Sequence, residues 1–408
     1  MVVTRIFLVI FMLPAMLFGA LTFDTDYNRQ AQIVRAFDLP LSFLNDTELQ
    51  KIIKDKRKEY KHRHFFKSLD EAYLFIPMIK EVMADSEIPS EFLFLAMAES
   101  GFSLEAYSRK KASGLWQFMP KTGRLYVLQI NDYVDERRDL VKSTKAAVKY
   151  LERLHGRFGK WYLAAIAYNC GEGRLARAIR KAGTDVISVL LESKRRYLPR
   201  ESRNYIRKII ALTVLAGDED VMINQEYAYL LNRANAYSIA RVEVARGERL
   251  SRVAKLLHIP LYKLTALNRH LKYDFVPPND NTYEIYIPYV KLREFRQNYK
   301  PAPMDSFYVL HRVKSGETLS RIGKKYRVSY KMIKDFNHLS SSFLRIGQKL
   351  VIPVSKPLDL KNGKYIVKRG DSLIAIARTF ETTVSHLKEI NHLKGNTIRV
   401  GDRLSIYD

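Results

Sequence analysis

The carboxyl-terminal half of the chain repeats one sequence pattern three times. The stretches "VARGERLSRVAKLLHIPLYKLTALN", "VKSGETLSRIGKKYRVSYKMIKDFN" and "VKRGDSLIAIARTFETTVSHLKEIN" align without a gap. In each copy a short strand-like run and a glycine precede two helical segments, an asparagine closes the second segment, and another strand-like run follows. Because a repeat of this length is one supersecondary unit, the pattern predicts three small βααβ modules.

The spacing within the repeats locates the modules. The interval from glycine to asparagine is identical in the copies that begin at Gly247, Gly316 and Gly370. The first copy lacks a late glycine that the other two share, so we interpret it as degenerate. The modules are predicted at residues 236–290, 307–354 and 363–408.

The amino-terminal half of the chain has a helical period instead. Apolar residues recur at three- and four-residue spacing in Leu49–Tyr60, Ala72–Ala84, Ala146–Phe158 and Tyr205–Leu215. This periodicity predicts an N-terminal helical region at 21–72 and a larger helical domain at 73–217. The predicted fold class is therefore an α+β multidomain chain, with an all-α part followed by the three βααβ modules.

The first twenty residues have the layout of a secretory signal. Arg5 precedes an apolar run from Ile6 to Phe18, and the small residues Gly19 and Ala20 follow it. We predict a signal peptide at 1–20 and an exported protein, and the absence of a cysteine after the run argues against a lipoprotein. An uncleaved N-terminus that anchors the chain to the membrane stays open as the alternative.

The charge and the cysteine content restrict the partners. A net charge of +26 indicates anionic partners such as acidic polymers or acidic lipid. No nucleic-acid-binding motif is recognisable, so nucleic acid is not a predicted partner. The single cysteine, Cys170, permits neither an intramolecular disulfide nor a cysteine-based zinc site, and we predict no metal and no cofactor.

One carboxylate stands in an unusual context. The apolar run that begins at Phe92 ends at Glu99, and Ser100-Gly101 breaks it. Because desolvation and the negative end of a helix dipole both disfavour a charged carboxylate, we expect the pKa of Glu99 to be raised, as a general acid requires. From this stretch alone, a glutamate that emerges into solvent or into a salt bridge is the alternative.

The repeats resemble the lysin motif (LysM) family in their glycine-acid-hydroxyl-leucine turn. Two copies match it closely, and the first has arginine in the hydroxyl position. The resemblance implies binding of glycans that contain N-acetylglucosamine, and spacer or oligomerisation modules are the alternative. The implied glycan-binding residues are Gly316, Glu317, Thr318, Gly370, Asp371 and Ser372.

Four motifs of the helical half, in order, resemble the lytic transglycosylase domain of the soluble type, which is related in fold to goose-type lysozyme. They are "ESGF", "ASGLWQFMP", "AYNCGEG" and "LPRESRNYI". The segment from Val134 to Leu154 is most similar to the membrane-bound lytic murein transglycosylase D branch, which also carries LysM modules. The resemblance implies a lysozyme-like domain, the periplasm of a Gram-negative bacterium and peptidoglycan glycan strands as the partner.

The resemblance also implies residue roles. Glu99 matches the catalytic acid, and the substrate-binding positions are Ser100, Gly114, Trp116, Gln117, Tyr168, Asn169 and Tyr205. Core packing is the alternative for Trp116, and a helix-end cap is the alternative for Tyr168 and Asn169. The acids Asp135, Glu136 and Asp139 stand beside arginines and are interpreted as solvated or paired.

The implied reaction needs only one carboxylate. Glu99 would protonate the leaving oxygen of the MurNAc-β-1,4-GlcNAc bond and then deprotonate the muramoyl 6-hydroxyl, which closes to a 1,6-anhydro end without water. An intramolecular nucleophile has an effective molarity of about 10⁵ M or more, which favours this route where water is excluded. A hydrolytic muramidase on the same fold and an inert peptidoglycan-binding scaffold remain the alternatives.

Overall fold

The structure is a computed structural model, and it divides into two compact units. It describes residues 26–59, 72–131, 133–218, 238–277, 282–301, 307–326, 328–337, 339–354, 360–361, 364–367, 369–379, 383–393 and 395–406. The first unit comprises the described residues up to Arg241, together with Leu264–Lys272 and Tyr286–Leu292. The second comprises those of Val242–Lys263, Tyr273–Ile285 and Arg293–Asp408. The predicted signal peptide lies outside the described residues.

The first unit is built from helices, which confirms the all-α prediction. They are α1 (26–36), α2 (Thr47–Glu59), α3 (Ile76–Ala84), α4 (Leu93–Ser100), α5 (Pro120–Leu125), α6 (Leu140–Phe158), α7 (Trp161–Cys170), α8 (Glu172–Ala182), α9 (Ile187–Leu190) and α10 (Arg200–Ala216). Short 3-10 helices occupy Leu41–Asn45, Ser90–Phe92 and Glu136–Arg138.

Two central helices form much of the hydrophobic core. In α7 every residue from Trp161 to Ala167 is buried, and α10 is buried over most of its length. The small side chains of Ala164, Ala165 and Ala167 let neighbouring helices approach α7 closely. These two buried helices therefore hold the candidate site residues Tyr168, Asn169 and Tyr205 in place.

Helix α4 is short, apolar and buried, as its sequence predicts. Leu93, Leu95 and Met97 are buried in it, and Gly101 ends it with a left-handed φ of +61°. Ser90 does not cap this helix, although serine is a common capping residue. Pro89 occupies the N-cap of the preceding 3-10 turn, and Ser90 Oγ instead donates to Glu91 Oε2 at 3.2 Å.

Each repeat contains paired strands and two short helices, which confirms the βααβ prediction. The first contains β1 (Ile239–Ala245), α11 (Leu250–Leu256), α12 (Leu261–Leu267) and β2 (Thr282–Pro288), followed by a 3-10 turn (Tyr289–Lys291) and α13 (Leu292–Asn298). The second contains β3 (Phe307–Arg312), α14 (Leu319–Tyr326), α15 (Tyr330–Phe336) and β4 (Lys349–Val354), with β3 antiparallel to β4. The third contains β5 (Leu360–Lys361), β6 (Lys364–Ile366), α16 (Leu373–Thr379), α17 (Val384–Ile390) and β7 (Arg403–Ser405), all antiparallel.

The repeated asparagine has the same structural role in each module. Its side-chain amide donates to a carbonyl of the second helix and to one of the last strand, and its Oδ1 accepts a backbone N–H of that strand. Asn337 makes these bonds to Ile333 and Val351 at 2.7 to 2.8 Å. Asn268 and Asn391 repeat them. The constant spacing to the asparagine therefore positions a clasp between helix and strand.

Candidate active site

Glu99 occupies the last turn of α4, where the helix ends at Gly101. Its side chain is half-buried, and Oε1 accepts a hydrogen bond from the Tyr205 hydroxyl at 2.5 Å. Tyr205 belongs to α10 and is itself buried. The structure thus brings together two predicted site residues that are 106 positions apart in the chain.

The surroundings of Glu99 favour its protonated form. Burial raises the pKa of Glu99 to about 7, against the lowering effects of the Tyr205 hydrogen bond and of the Lys208 charge. The charge of Glu201 raises the pKa further. Lys208 is held near the acid because its Nζ donates to the Ala98 carbonyl at 2.6 Å. A carboxyl with this pKa can give and take a proton near neutral pH.

Ser100 fastens the end of α4 to the loop that follows it. Its hydroxyl lies 2.8 Å from the Leu115 carbonyl and 3.1 Å from the Ala96 carbonyl. Since these carbonyls are acceptors, the hydroxyl proton is used within the protein. Ser100 therefore positions the 111–118 loop beside Glu99.

Tyr168 and Asn169 lie at the end of α7. The Tyr168 hydroxyl donates to the Trp116 carbonyl at 2.7 Å, and Asn169 Oδ1 accepts from the Ser202 hydroxyl at 2.8 Å. Burial and then the charge of Glu99 raise the pKa of Tyr168 well above its ordinary value. This influence of Glu99 means that the phenol lies close to the acid.

Two predicted substrate-binding residues face the interior instead. The Trp116 side chain is 1% exposed, and its Nε1 donates to Thr144 Oγ1 at 3.0 Å. Gly114 is buried with a φ of +80°, and a Cβ there would lie 1.8 Å from the Arg137 carbonyl oxygen. A direct sugar contact by the Trp116 indole does not agree with its buried position, and Gly114 serves to let the loop pack against the Arg137 carbonyl.

Gln117 completes the loop in a strained conformation. Its φ is +47°, which is uncommon for a residue with a side chain. Its Nε2 donates to the Gly114 carbonyl at 2.9 Å and to the Ala106 carbonyl at 3.2 Å. These bonds hold Gln117 at the partly exposed side of the loop.

Sequence reasoning missed two features of the site. Lys208 lies three residues after Tyr205 in α10, and this helical spacing was the available signal. Tyr126 and Tyr150 form an aromatic cluster with Tyr168, with ring centroids 5.1 Å apart for the first pair and 5.2 Å for Tyr150 and Tyr168. Nothing in their local sequence indicates this cluster, because it joins separate elements.

The sequence left Asp135, Glu136 and Asp139 as either solvated or paired. In the structure they are paired, and they are also buried. Arg137 donates to both oxygens of Asp135, from Nε at 2.8 Å and from Nη2 at 2.7 Å. Glu136 accepts from Lys142 Nζ at 2.6 Å, and Asp139 caps α6 by accepting the Lys142 N–H. Each of these carboxylates has a structural partner, so none resembles a second catalytic acid.

The predicted glycan-binding residues of the second and third modules form exposed turns. Gly316 and Gly370 have φ of +78° and +89°, and the hydroxyls of Thr318 and Ser372 accept backbone N–H groups of the helices that follow. The two acids bind a strand of their own module, β3 for Glu317 and β6 for Asp371. Glu317 accepts from His311 Nε2 at 2.8 Å, and Asp371 accepts from the Tyr365 hydroxyl at 2.6 Å.

Within the described ranges, the side chains form no metal-binding cluster and the helices include no membrane span. In those ranges no cluster of three His, Cys, Asp or Glu side chains is placed to hold a metal ion. None of the helices within them has the length and apolar character needed to cross a bilayer.

Protein-family models match four segments of the chain. The transglycosylase SLT domain matches residues 77–190, and the LysM domain matches 311–353 and 365–406. The LysM-like domain of lytic transglycosylase MltD matches 238–303. These matches follow the chain in the order that the sequence motifs indicate.

Individual relatives extend this comparison. A putative tributyltin chloride resistance protein of Alteromonas sp. (strain M-1) is 44% identical over 110 residues, 27% of this chain and 52% of that protein. The 70 kDa soluble lytic transglycosylase of Escherichia coli matches with a TM-score of 0.29 and 23% identity, over 38% of this chain and 24% of that one. Membrane-bound lytic murein transglycosylase D of Escherichia coli (strain K12) is 30% identical over 377 residues, 86% of this chain and 79% of that protein. Because this last match spans most of both chains, the chain belongs to the membrane-bound lytic murein transglycosylase D family.

Proposed function

We propose that this peptidoglycan lytic transglycosylase uses Glu99 as its sole acid and base to cleave the MurNAc-β-1,4-GlcNAc bond. The observation that carries the proposal is the half-buried Glu99 carboxyl, whose pKa burial raises to about 7 while Tyr205 binds its Oε1. Protonated, Glu99 donates to the leaving glycosidic oxygen. Ionised by that step, it takes the proton of the muramoyl 6-hydroxyl, which attacks the anomeric carbon and closes the 1,6-anhydro ring.

The neighbours of Glu99 support both halves of this cycle. Burial favours the protonated form needed first, whereas the Tyr205 hydroxyl and the Lys208 charge stabilise the carboxylate that remains. Tyr168, Asn169 and Gln117 lie at partly exposed positions around the acid or its loop, and we propose them as sugar contacts. Ser100, Gly114 and Trp116 are proposed to act indirectly, by shaping that loop.

We propose that the second and third modules hold the enzyme on glycan strands. Their glycine turns are exposed, and Phe343 and Ile346 in the loop after α15 are 78% and 74% exposed. Exposed apolar side chains are a suitable surface for the faces and N-acetyl groups of sugars. Export to the periplasm, and membrane association through an uncleaved N-terminus, belong to the same proposal because the substrate lies in the cell wall.

The test is the chemistry of the product. Purified murein is digested with the full chain, and the fragments are analysed by mass spectrometry. We expect anhydromuramoyl ends, because the intramolecular hydroxyl replaces water as the nucleophile. These ends are about 18 Da, one water mass, lighter than reducing ends. Reducing muramic ends alone would identify a hydrolytic muramidase, and no release at all would identify a binding scaffold.

A further inference from the structure

The first module shares residues with the catalytic unit. Two of its segments, Leu264–Lys272 and Tyr286–Leu292, belong to that compact unit. The Tyr286 hydroxyl donates to Asp139 Oδ1 at 2.6 Å and accepts the Val141 N–H at 3.3 Å. Tyr286 and Asp139 are each 1% exposed, so the hydroxyl is committed to the amino terminus of α6.

A second set of contacts joins the same segments through the backbone. The Asp135 N–H donates to the His270 carbonyl at 2.8 Å, and the Lys272 N–H donates to the Tyr133 carbonyl at 2.9 Å. The His270 ring is fully buried, with Nδ1 3.5 Å from Asp139 Oδ2. The residues after Asn268, the clasp of the module, thus pair with the 133–139 segment as a strand would.

The 133–139 segment in turn supports the loop beside the acid. Arg137 Nη1 donates to the carbonyls of Lys111 and Phe118, at 2.6 and 2.9 Å. Arg138 Nε donates to Ser113 Oγ at 2.9 Å, and the Arg137 carbonyl occupies the space that a side chain at Gly114 would need. Both ends of the 111–118 loop are therefore held by this segment.

The same loop reaches the candidate catalytic residues. The Leu115 carbonyl accepts from Ser100, the neighbour of Glu99, and the Trp116 carbonyl accepts from Tyr168. Hydrogen bonds thus link Tyr286 to the 133–139 segment, that segment to the 111–118 loop, and the loop to Ser100 and Tyr168. Elements that hold a catalytic group to within fractions of an ångström affect its rate strongly.

We propose that two segments of the first repeat, Leu264–Lys272 and Tyr286–Leu292, are a built-in part of the catalytic fold, in which Tyr286 and His270 act as positioning residues for the loop beside Glu99. The turn of this repeat carries Arg249 where the other two modules have a helix-capping hydroxyl, so it lacks a feature that they share. The degenerate sequence of the first repeat reflects this change of role, from binding glycan to supporting the loop beside Glu99.

The chain offers a matched pair of variants. Tyr286→Phe removes a hydroxyl that donates to a carboxylate and accepts a backbone N–H. Tyr299→Phe removes one with the same two kinds of bond, because Tyr299 donates to Glu248 at 3.1 Å and accepts the Ala245 N–H at 2.8 Å. Those partners lie in the second unit and Tyr299 is partly buried, so Tyr299→Phe controls for losing a tyrosine hydroxyl with these two bonds.

Hydrogen exchange of the full chain gives the readout that does not need catalysis. For Tyr286→Phe we expect amides of the 133–139 segment and the 111–118 loop to exchange about tenfold faster, the effect of losing one hydrogen bond. Tyr299→Phe should leave those amides unchanged. Should Tyr286→Phe fail to fold, Lys272→Ala removes the exposed bond from Nζ to the Asn131 carbonyl and should give a weaker version of the same local effect.

Activity then tests the positioning role, which rests on the proposed function. On short soluble glycan strands, kcat should fall in Tyr286→Phe with KM and pelleting with sacculi unchanged, and Tyr299→Phe should match the native enzyme. Unchanged exchange in the loop, or lost pelleting at unchanged kcat, would overturn the proposal. If the native enzyme forms no anhydro ends, the proposed function is wrong. The hydrogen-exchange result still tests separately whether Tyr286 supports the 111–118 loop.

Discussion

The catalytic unit buries carboxyl groups in two regions and surrounds them differently. Around α6, Asp135 receives two bonds from the Arg137 guanidinium, and Glu136 receives a lysine ammonium and a backbone N–H. At the end of α4, Glu99 receives one hydroxyl, and its nearby cation Lys208 is bound to a helix carbonyl. Asp135 and Glu136 are thus each paired with a cation, whereas the charge of Glu99 is compensated only in part.

The difference explains why one region is structural and the other is chemical. A carboxylate that accepts bonds from cations and backbone N–H groups of the protein is used to stabilise the fold. Glu99, with a pKa that burial raises to about 7, has both forms available at neutral pH. Partial compensation is thus the property that allows Glu99 to work as acid and then base.

The largest expected effect is the loss of catalysis in Glu99→Gln. An amide can accept the Tyr205 bond but can neither donate an acidic proton nor act as a base, so kcat should fall by about 10³-fold or more. Turnover of purified murein measures this loss. Native activity in Glu99→Gln would contradict the distinction between the two regions. An equal loss of activity in Glu136→Gln, compared at equal folded concentration, would contradict it as well.

Arg137→Met tests the structural region. It leaves the buried Asp135 carboxylate without its guanidinium and also removes the bonds to the 111–118 loop. Breaking a buried ion pair in this way is expected to lower the free energy of unfolding by about 3 to 5 kcal/mol. Urea unfolding followed by circular dichroism measures the change.

An exposed ion pair provides the control for Arg137→Met. Arg157 pairs with Glu172, which also receives Arg153, and the Arg157 side chain is 48% exposed. Arg157→Met should cost less than about 1 kcal/mol, because solvent already screens that pair. Equal losses in the two variants would contradict the interpretation of the 135–139 cluster as a structural region.

The third prediction concerns the stability of Glu99→Gln. The pKa of Glu99 rises from an ordinary 4.5 to about 7 on folding, so the native fold loses stability as the pH rises from about 4.5 through 7. At about 1.4 kcal/mol per pH unit, this cost has an upper bound of about 3 kcal/mol above pH 7. Glu99→Gln avoids the cost, so it should be more stable than the native protein at pH 8.

The pH dependence provides the check on that gain. The advantage of Glu99→Gln should shrink as the pH falls and disappear near pH 4.5, where the native carboxyl is protonated in the folded state and half-protonated in the unfolded one. Melting temperatures of both proteins from pH 4.5 to 8 measure the trend. A constant difference across this range would mean that Glu99 has no raised pKa.

Local patterns predicted the acid region well and the structural region poorly. The run to Glu99 and the break at Gly101 lie within one helix, so periodicity and turn chemistry indicate both. By contrast, Gly114 must be glycine because the Arg137 carbonyl lies against it, and Tyr286 binds Asp139 across 147 positions of sequence. Contacts between distant segments leave no periodic signal in either one.

A repeated sequence pattern predicts the fold better than a single motif does, but it predicts only the features that all copies share. The constant spacing to Asn268, Asn337 and Asn391 correctly indicated a common fold. It could not show that one copy has segments in the catalytic unit, because that property depends on residues such as His270 and Tyr286, in which the copies differ. Trp116 is a similar case, since an aromatic residue in a motif loop is compatible with the core and with a cleft.

The smallest expected effect comes from Lys208, which sets how far Glu99 is compensated. The Lys208 charge lowers the pKa of Glu99, so Lys208→Met should raise that pKa and move the fall of kcat/KM with rising pH to higher pH. Lys208→Arg keeps the charge and should preserve the native profile. A profile that moves equally in both variants would mean that the contact with the Ala98 carbonyl, rather than the charge, governs the acid. A shift to lower pH in Lys208→Met would contradict the role of the cation altogether, because removing a positive charge can only disfavour the carboxylate.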